Sequence, residues 1–338
     1  MSPQRVLVTG ATGQDGWYLL KYLSARGYDV HAQSRSKVQP DADHPGVNWH
    51  AGDLIRSNFL EDLVATLRPS QIYNLAAISR PHLSWEFPIE TAELNAIVPH
   101  RLCEVIRQIV PTTRLFQASS SEIFGTSASP IQDEQTSCDP RTPYGIAKAY
   151  AHRIVGAYRS QYGLHLSSGI LFNHESPRRP LSFVSQKICH AAANVALGNA
   201  DSVALDEHSQ PILKNGRVRL GRIDVCRDFG YAGDYVEAMH AIVQNDAPDD
   251  FVIGTGQTHS IAEFCELAFQ FVNRDWRDHV VVDETLVRKV DSSSRANPAK
   301  LYQMLGSEFK VGFSDLVRLM VEAQIELLSK AIEADKRG

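Results

Sequence analysis

Short runs of Val, Ile and Leu alternate with amphipathic stretches through the first half of the chain. The apolar runs cover residues 6–9, 30–33, 47–50, 71–75, 114–118 and 166–171. They are continuous rather than alternating, the pattern of strands buried on both faces of a parallel sheet. Between them, helical periodicity covers residues 15–26, 60–67, 97–109 and 144–162. Strand and helix in turn predict an α/β fold with a doubly wound parallel sheet. Past residue 172 the texture changes. Residues 173–227 are rich in Arg, Lys, Ser, Gly and Pro and show no βα repeat. A helix over 234–244, a strand over 251–254 and a helix over 313–330 follow, with a frayed end at 333–338. The expected division is a first domain of residues 1–172, with returning segments at about 223–256. Residues 173–222 and 257–338 form a smaller C-terminal lobe.

Composition narrows the class. Lys and Arg number 34 against 39 Asp and Glu, a net charge of −5 over 338 residues. No basic field recruits nucleic acid or an anionic membrane. No apolar run is long enough to cross a bilayer, and the first residues carry no signal-peptide core. The five cysteines (Cys103, Cys138, Cys189, Cys226 and Cys265) are scattered and never form a C-x-x-C pair. A disulfide framework and a zinc site are therefore not expected. His174 and Glu175 stand together without a third ligand at suitable spacing, so no metal is expected either. The expectation is a cytoplasmic protein.

The segment Thr9-Gly10-Ala11-Thr12-Gly13-Gln14-Asp15-Gly16 follows the first strand and opens the first helix. Gly10 permits the tight turn, Gly13 admits a pyrophosphate against the backbone, and Gly16 allows close helix–sheet packing. The helix N-terminus offers N–H groups and positive potential to the anion. This makes the sheet Rossmann-type, with a dinucleotide at the turn. About 20 residues on, NAD enzymes carry an acid. Here the chain reads Gln33-Ser34-Arg35-Ser36-Lys37, without a carboxylate. The Arg35 guanidinium suits a 2′-phosphate, so NADP is the expected cofactor.

Tyr144 and Lys148 stand at i and i+4 of a predicted helix, on one face. A phenol with a pKa near ~10 is a poor base at neutral pH unless a neighbouring ammonium stabilises its phenolate. Upstream, Ser119-Ser120-Ser121-Glu122 follows the strand 114–118 at the carboxyl end of the sheet, where ligands bind in such folds.

These stretches together resemble the extended short-chain dehydrogenase/reductase superfamily and, within it, the GDP-mannose 4,6-dehydratase family. Further matching segments are Asn74-Leu75-Ala76-Ala77, Phe172-Asn173-His174-Glu175-Ser176-Pro177-Arg178-Arg179, Arg227-Asp228-Phe229-Gly230 and Asp234-Tyr235-Val236-Glu237-Ala238-Met239. The resemblance implies 4,6-dehydration of a nucleotide-diphosphate sugar, with Ser120, Glu122, Tyr144 and Lys148 catalytic. It implies cofactor contacts from Gly10, Thr12, Gly13, Gln14, Asp15, Gly16, Arg35, Asp53, Leu54, Leu75, Ala76 and Ala77, besides Tyr144 and Lys148. It implies substrate contacts from Ser79, Ser84, Asn173, Glu175, Arg178, Lys187, Arg219 and Arg227. Tyr144 takes the C4 hydroxyl proton, and Glu122 takes the C5 proton and helps the C6 hydroxyl leave.

The chain also departs from the family. Ser120 stands where the family carries threonine. The family carries a long loop after Arg35 that reaches a neighbouring subunit's cofactor; here it is cut to residues 36–45, so a tetramer is less expected than a homodimer. A homodimer through the helices near 90–108 and 144–162 survives. Residues 206–215 read as extra chain. The nucleobase segment is reduced to Arg288-Lys289-Val290-Asp291, leaving guanine and mannose, or a related heptose, open. Two other functions use parts of the same residues: an NADPH-dependent C4 reductase or epimerase, which needs no Glu122, and a non-catalytic NADP-binding regulatory protein.

Overall fold

A computed structural model of the chain describes residues 3–36, 43–56, 58–125, 129–206, 209–287 and 294–335. The shortened loop after Ser36 and the segment 288–291 fall largely or wholly outside these residues. The chain divides into two compact units. One comprises Met1–Phe172, Ala232–Gly254 and Ala296–Glu308; the other comprises Asn173–Tyr231, Thr255–Arg295 and Phe309–Gly338.

The first unit is built on seven strands: β1 (Arg5–Thr9), β2 (Asp29–Ser34), β3 (Asn48–Ala51), β4 (Gln71–Asn74), β5 (Arg114–Ala118), β6 (Leu166–Leu171) and β7 (Asp250–Ile253). Their order is β7-β6-β5-β4-β1-β2-β3 and every pairing is parallel. This is the doubly wound, Rossmann-type sheet. The order reverses beside β1, where such folds open a crevice at the strands' carboxyl ends. Helices α1 (Gln14–Ser24), α2 (Phe59–Leu67), α3 (Val98–Ile109) and α4 (Pro143–Tyr162) connect the strands. Leu60, Leu63 and Val64 of α2 pack with Leu102, Val105 and Ile106 of α3 and with Leu7, Ile72 and Leu115 of the sheet. Burial on both faces encloses β4 and β6 along their whole length, whereas the edge strand β3 is partly exposed.

The return of the chain to this unit differs from expectation. Residues 223–231 belong to the second unit, whereas Ala296–Glu308 joins the first. The helix Ala299–Leu305 covers the edge strand β7. Tyr302 donates to the Gly254 carbonyl (3.0 Å), and Lys300 donates to the Asp250 carbonyl (2.7 Å). From the opposite direction in sequence, the Glu134 carboxylate accepts the Val252 N–H (2.7 Å). An uncovered β7 edge is a pairing site for other chains, and these contacts close it.

In the second unit, residues 173–227 are more ordered than their composition suggests. They contain the helix Val184–Ala196, in which every residue from Ser185 to Val195 is buried. Its polar residues Ser185, Gln186, Lys187, His190 and Asn194 are buried along with the apolar ones. It packs with Ile261–Gln270 and Phe313–Asp335 around Ile188, Phe264, Phe269, Val317 and Met320. The expected extra chain at 206–215 leads into a hairpin. Leu213–Lys214 pairs antiparallel with Arg217–Leu220 across Asn215 and Gly216, both at positive φ (51° and 72°). Asn-Gly at positive φ is the tight two-residue turn that follows strand twist. The last helix continues to Asp335 rather than fraying at 333.

Candidate active site

The glycine turn lies between β1 and α1, and its glycines have different causes. Gly10 sits at φ +65°, and a Cβ there would lie 2.7 Å from the Ala76 backbone; at Gly16 it would lie 2.5 Å from the Ala11 carbonyl. The protein itself forbids side chains at both. Gly13 is different: a Cβ would meet only the Gly10 carbonyl, at 3.3 Å. It is exposed and opens α1 with no side-chain cap. A bare backbone at a helix N-terminus, facing open space, is the form of a phosphate cradle. Thr12 is exposed beside it, and Gln14 and Asp15 form its first turn, with Asp15 accepting from the Gln14 amide (3.2 Å). Arg35 is exposed just past β2, and Asp53 is partly exposed past β3, its carboxylate accepting the Ile55 N–H (3.0 Å). Leu54 is buried beneath. These positions fit a dinucleotide carrying a 2′-phosphate.

Two substitutions separate the two kinds of glycine. Gly13→Val is expected to hold stability within about 1 kcal/mol while weakening NADP+ at least about tenfold. Gly10→Ala is expected to cost about 1–3 kcal/mol by its φ alone. Urea unfolding beside calorimetric titration of NADP+ reads both.

A buried polar chain ties this turn to the candidate catalytic residues. Thr9 donates to the Asn74 side-chain carbonyl (2.6 Å), Asn74 to that of Gln117 (2.7 Å), and Gln117 to the Ala118 carbonyl (3.0 Å). The same carbonyl accepts Lys148 Nζ at 2.8 Å. Thr9 also accepts the Ala76 N–H (3.3 Å), fixing the partly exposed Leu75-Ala76-Ala77 loop beyond β4. Buried Asn95 holds the next residue at both ends. It accepts the Ile78 N–H (2.9 Å) and donates to the Ile78 carbonyl (3.0 Å) from the π-helical turn Glu93–Ile97. Gln117 and Asn95 were not singled out in the sequence, and Thr9 only as the start of the glycine segment; a polar side chain near the end of a strand was the available signal for Thr9 and Gln117, whereas Asn95 lies in a helical turn.

Lys148 is 3% exposed, and burial lowers its ammonium to a pKa of about 8, partly offset by the Asp15 carboxylate. Its Nζ lies 5.9 Å from the centre of the Tyr144 ring. Both are presented by the first turns of α4. Thr142 caps that helix by accepting the Gly145 N–H (3.0 Å), and Pro143 occupies the first turn. Gly145 has no room for a Cβ, because the Glu122 carbonyl oxygen would lie 2.7 Å from it. The absence of a side chain thus lets α4 press against the turn Ser121–Ile123. Ser120 caps that turn through its Oγ, which accepts the Glu122 N–H (3.3 Å). Ser120 and Tyr144 are buried, and the Glu122 side chain is exposed.

The substrate residues fare unevenly. Ser79 is exposed, but Ser84 is fully buried and donates to the Pro81 carbonyl (2.5 Å). It closes a local turn. Glu175 is also withdrawn. It is buried, accepts from Ser185 (2.6 Å) and pairs with Arg179 (3.1 Å), whose guanidinium lies over Phe183. Both side chains are engaged by partners 3 to 10 residues away along the chain. Lys187 is buried on the helix Val184–Ala196, and Asn173 pairs in register with Phe229. Arg178 is exposed, and Arg227 is partly exposed with its guanidinium donating to the Cys226 carbonyl (2.9 Å). Arg219 points outward from its strand and is gripped by Asp283 (Nε–Oδ2 2.7 Å). Thr285 and Arg219 together hold the Asp283 carboxyl down to about 2. Among the described residues, no group of three His, Cys, Asp or Glu side chains is placed to hold a metal, and no helix is long and apolar enough to cross a membrane.

Comparison with known proteins adds an independent finding. The family profile described as GDP-mannose 4,6 dehydratase matches residues 7–320. GDP-mannose 4,6 dehydratase 1 of Arabidopsis thaliana is 37% identical over 349 residues, covering 98% of this chain and 92% of the relative. The GDP-mannose 4,6 dehydratase of Homo sapiens is 36% identical over 355 residues, covering 95% and 91%. Among solved structures, a UDP-glucose 4-epimerase of Thermus thermophilus in complex with NAD matches with a TM-score of 0.79. That match has 26% identity and covers 95% of this chain and 99% of that one.

Proposed function

Because the chain belongs to the GDP-mannose 4,6-dehydratase family, we propose that it is an NADP-dependent lyase removing water from a GDP-sugar. The product is the 4-keto-6-deoxy sugar nucleotide, and GDP-mannose is the first substrate to test. The observation that carries the reading is the Ser120–Glu122 turn pressed against the helix turn of Tyr144 and Lys148, at the carboxyl end of the sheet that also bears the glycine cradle.

NADP+, when bound, supplies a hydride acceptor for C4 and a donor for C6, with no net consumption. The chain's own residues handle the protons. Tyr144 takes the C4 hydroxyl proton, helped by the Lys148 ammonium, which favours the phenolate. Ser120 bonds the C4 oxygen. The resulting ketone acidifies C5, and Glu122 removes that proton and then protonates the departing C6 hydroxyl. Arg35 receives the 2′-phosphate through its fork of donors, with Asp53, Leu54 and the Leu75–Ala77 loop along the cofactor. Asn173, Arg178, Lys187, Arg219 and Arg227 are the proposed contacts for the nucleotide diphosphate, with Ser79 toward the sugar.

We assign the first unit to the cofactor and the second to the sugar nucleotide. The assembly proposed is a homodimer in the cytoplasm. It is supported by an apolar face on the first unit that includes Trp85 (66% exposed), Ile89 (68%), Ile97, Ile146 and Tyr150. The test of function is incubation with GDP-, CDP-, UDP- and dTDP-sugars, read by mass spectrometry and NADPH absorbance. Loss of one water from a GDP-sugar, with no lasting change in NADPH, is the expected result. Stoichiometric NADPH oxidation on a 4-keto sugar nucleotide makes the protein a reductase instead.

A further inference from the structure

Gln33 is buried at the end of β2, and its side-chain amide is used at both ends. Its oxygen accepts the Gly10 N–H (3.2 Å), and its nitrogen donates to the Gly52 carbonyl (2.7 Å). Its backbone carbonyl meanwhile accepts the Ala11 N–H (3.1 Å), and the Gly52 N–H donates to the Ser34 carbonyl (2.9 Å). One residue therefore stitches together the glycine turn after β1, the end of β2, and the segment that enters Asp53 and Leu54 after β3.

We propose that Gln33 is a positioning residue for the dinucleotide: it sets the spacing between the phosphate-binding turn and the Asp53–Leu54 segment. The inference rests on the reading of the glycine turn as the seat of NADP. A ligand that spans both segments gains from having them prearranged, whereas a fragment touching one of them does not. The buried Gln33 amide makes one bond inside the protein at each polar end.

The test compares NADP+ with adenosine 2′-phosphate, which lacks the pyrophosphate, by calorimetry on the full chain without sugar nucleotide. Gln33→Met removes both bonds at nearly constant length. Gln33→Asn keeps the pocket polar but cannot reach both partners, and it carries the test if the Met variant does not fold. NADP+ is expected to weaken about 5- to 20-fold, the range that follows from breaking buried amide bonds. Adenosine 2′-phosphate is expected to change less than about twofold. The KM for NADP+ rises in parallel, with kcat at saturating cofactor nearly unchanged. An unchanged NADP+ affinity, or an equal loss for the fragment, overturns the proposal. The parent reading fails separately, if Gly13→Val binds NADP+ as the unsubstituted protein does.

Discussion

Glu122→Gln is expected to slow dehydration about 10²- to 10⁴-fold, the usual weight of a positioned proton-transfer group. Binding of NADP+ should persist, because the substitution leaves the glycine turn and the Ser120 cap untouched. The cap uses the backbone N–H of residue 122, not its carboxylate. The variant should still take the C4 proton and hydride, since Tyr144 and Lys148 are unaltered. It should not exchange the C5 proton with solvent. The signature is a NADPH absorbance that rises on mixing with GDP-mannose while the 6-deoxy product fails to appear. Turnover close to that of the unsubstituted protein removes Glu122 from the mechanism, and a reductase or epimerase then accounts better for the site.

Lys148→Met should lose activity to a similar degree yet gain stability. The ammonium is buried, and desolvation brings its pKa to about 8. In the unfolded chain it titrates near ~10.4. Between those values the unfolded chain binds more protons than the folded one, so stability rises as pH climbs from about 8 toward ~10. Below pH 8 the full cost of burying the charge is present. At pH 7 the Met variant escapes that cost and should be more stable by roughly 1–3 kcal/mol. The Ala118 carbonyl is not orphaned by the change, because Gln117 still donates to it. Urea midpoints at pH 7 and pH 9.5 check both halves. The protein should gain stability over that interval and the variant should not. An active-site lysine that weakens the fold is the expected mark of a group kept for chemistry.

Much of this was legible from local sequence. Arg114–Ala118 and Leu166–Leu171 coincide with their predicted runs, and their polar members Gln117, Ser167 and Ser168 are buried with the apolar ones. The glycine turn and the Tyr144–Lys148 pair were readable because their chemistry lies within a few residues. The rest depended on partners that apolar–polar periodicity does not show. Nothing in the local pattern showed that Ser84 would donate to Pro81, or that Ser185 and Arg179 would engage Glu175. The helix Val184–Ala196 buries its polar residues with its apolar ones, and Gln33 gave no hint that Gly10 and Gly52 would meet its amide.

The decisive measurement uses GDP-mannose carrying deuterium at C4, turned over in ordinary water with unlabelled NADP+. The account predicts a product bearing that deuterium at C6, with a solvent hydrogen at C5, because one site oxidises, eliminates and reduces the same ring. Deuterium recovered in released NADPH, or retained at C4 of the sugar, contradicts it.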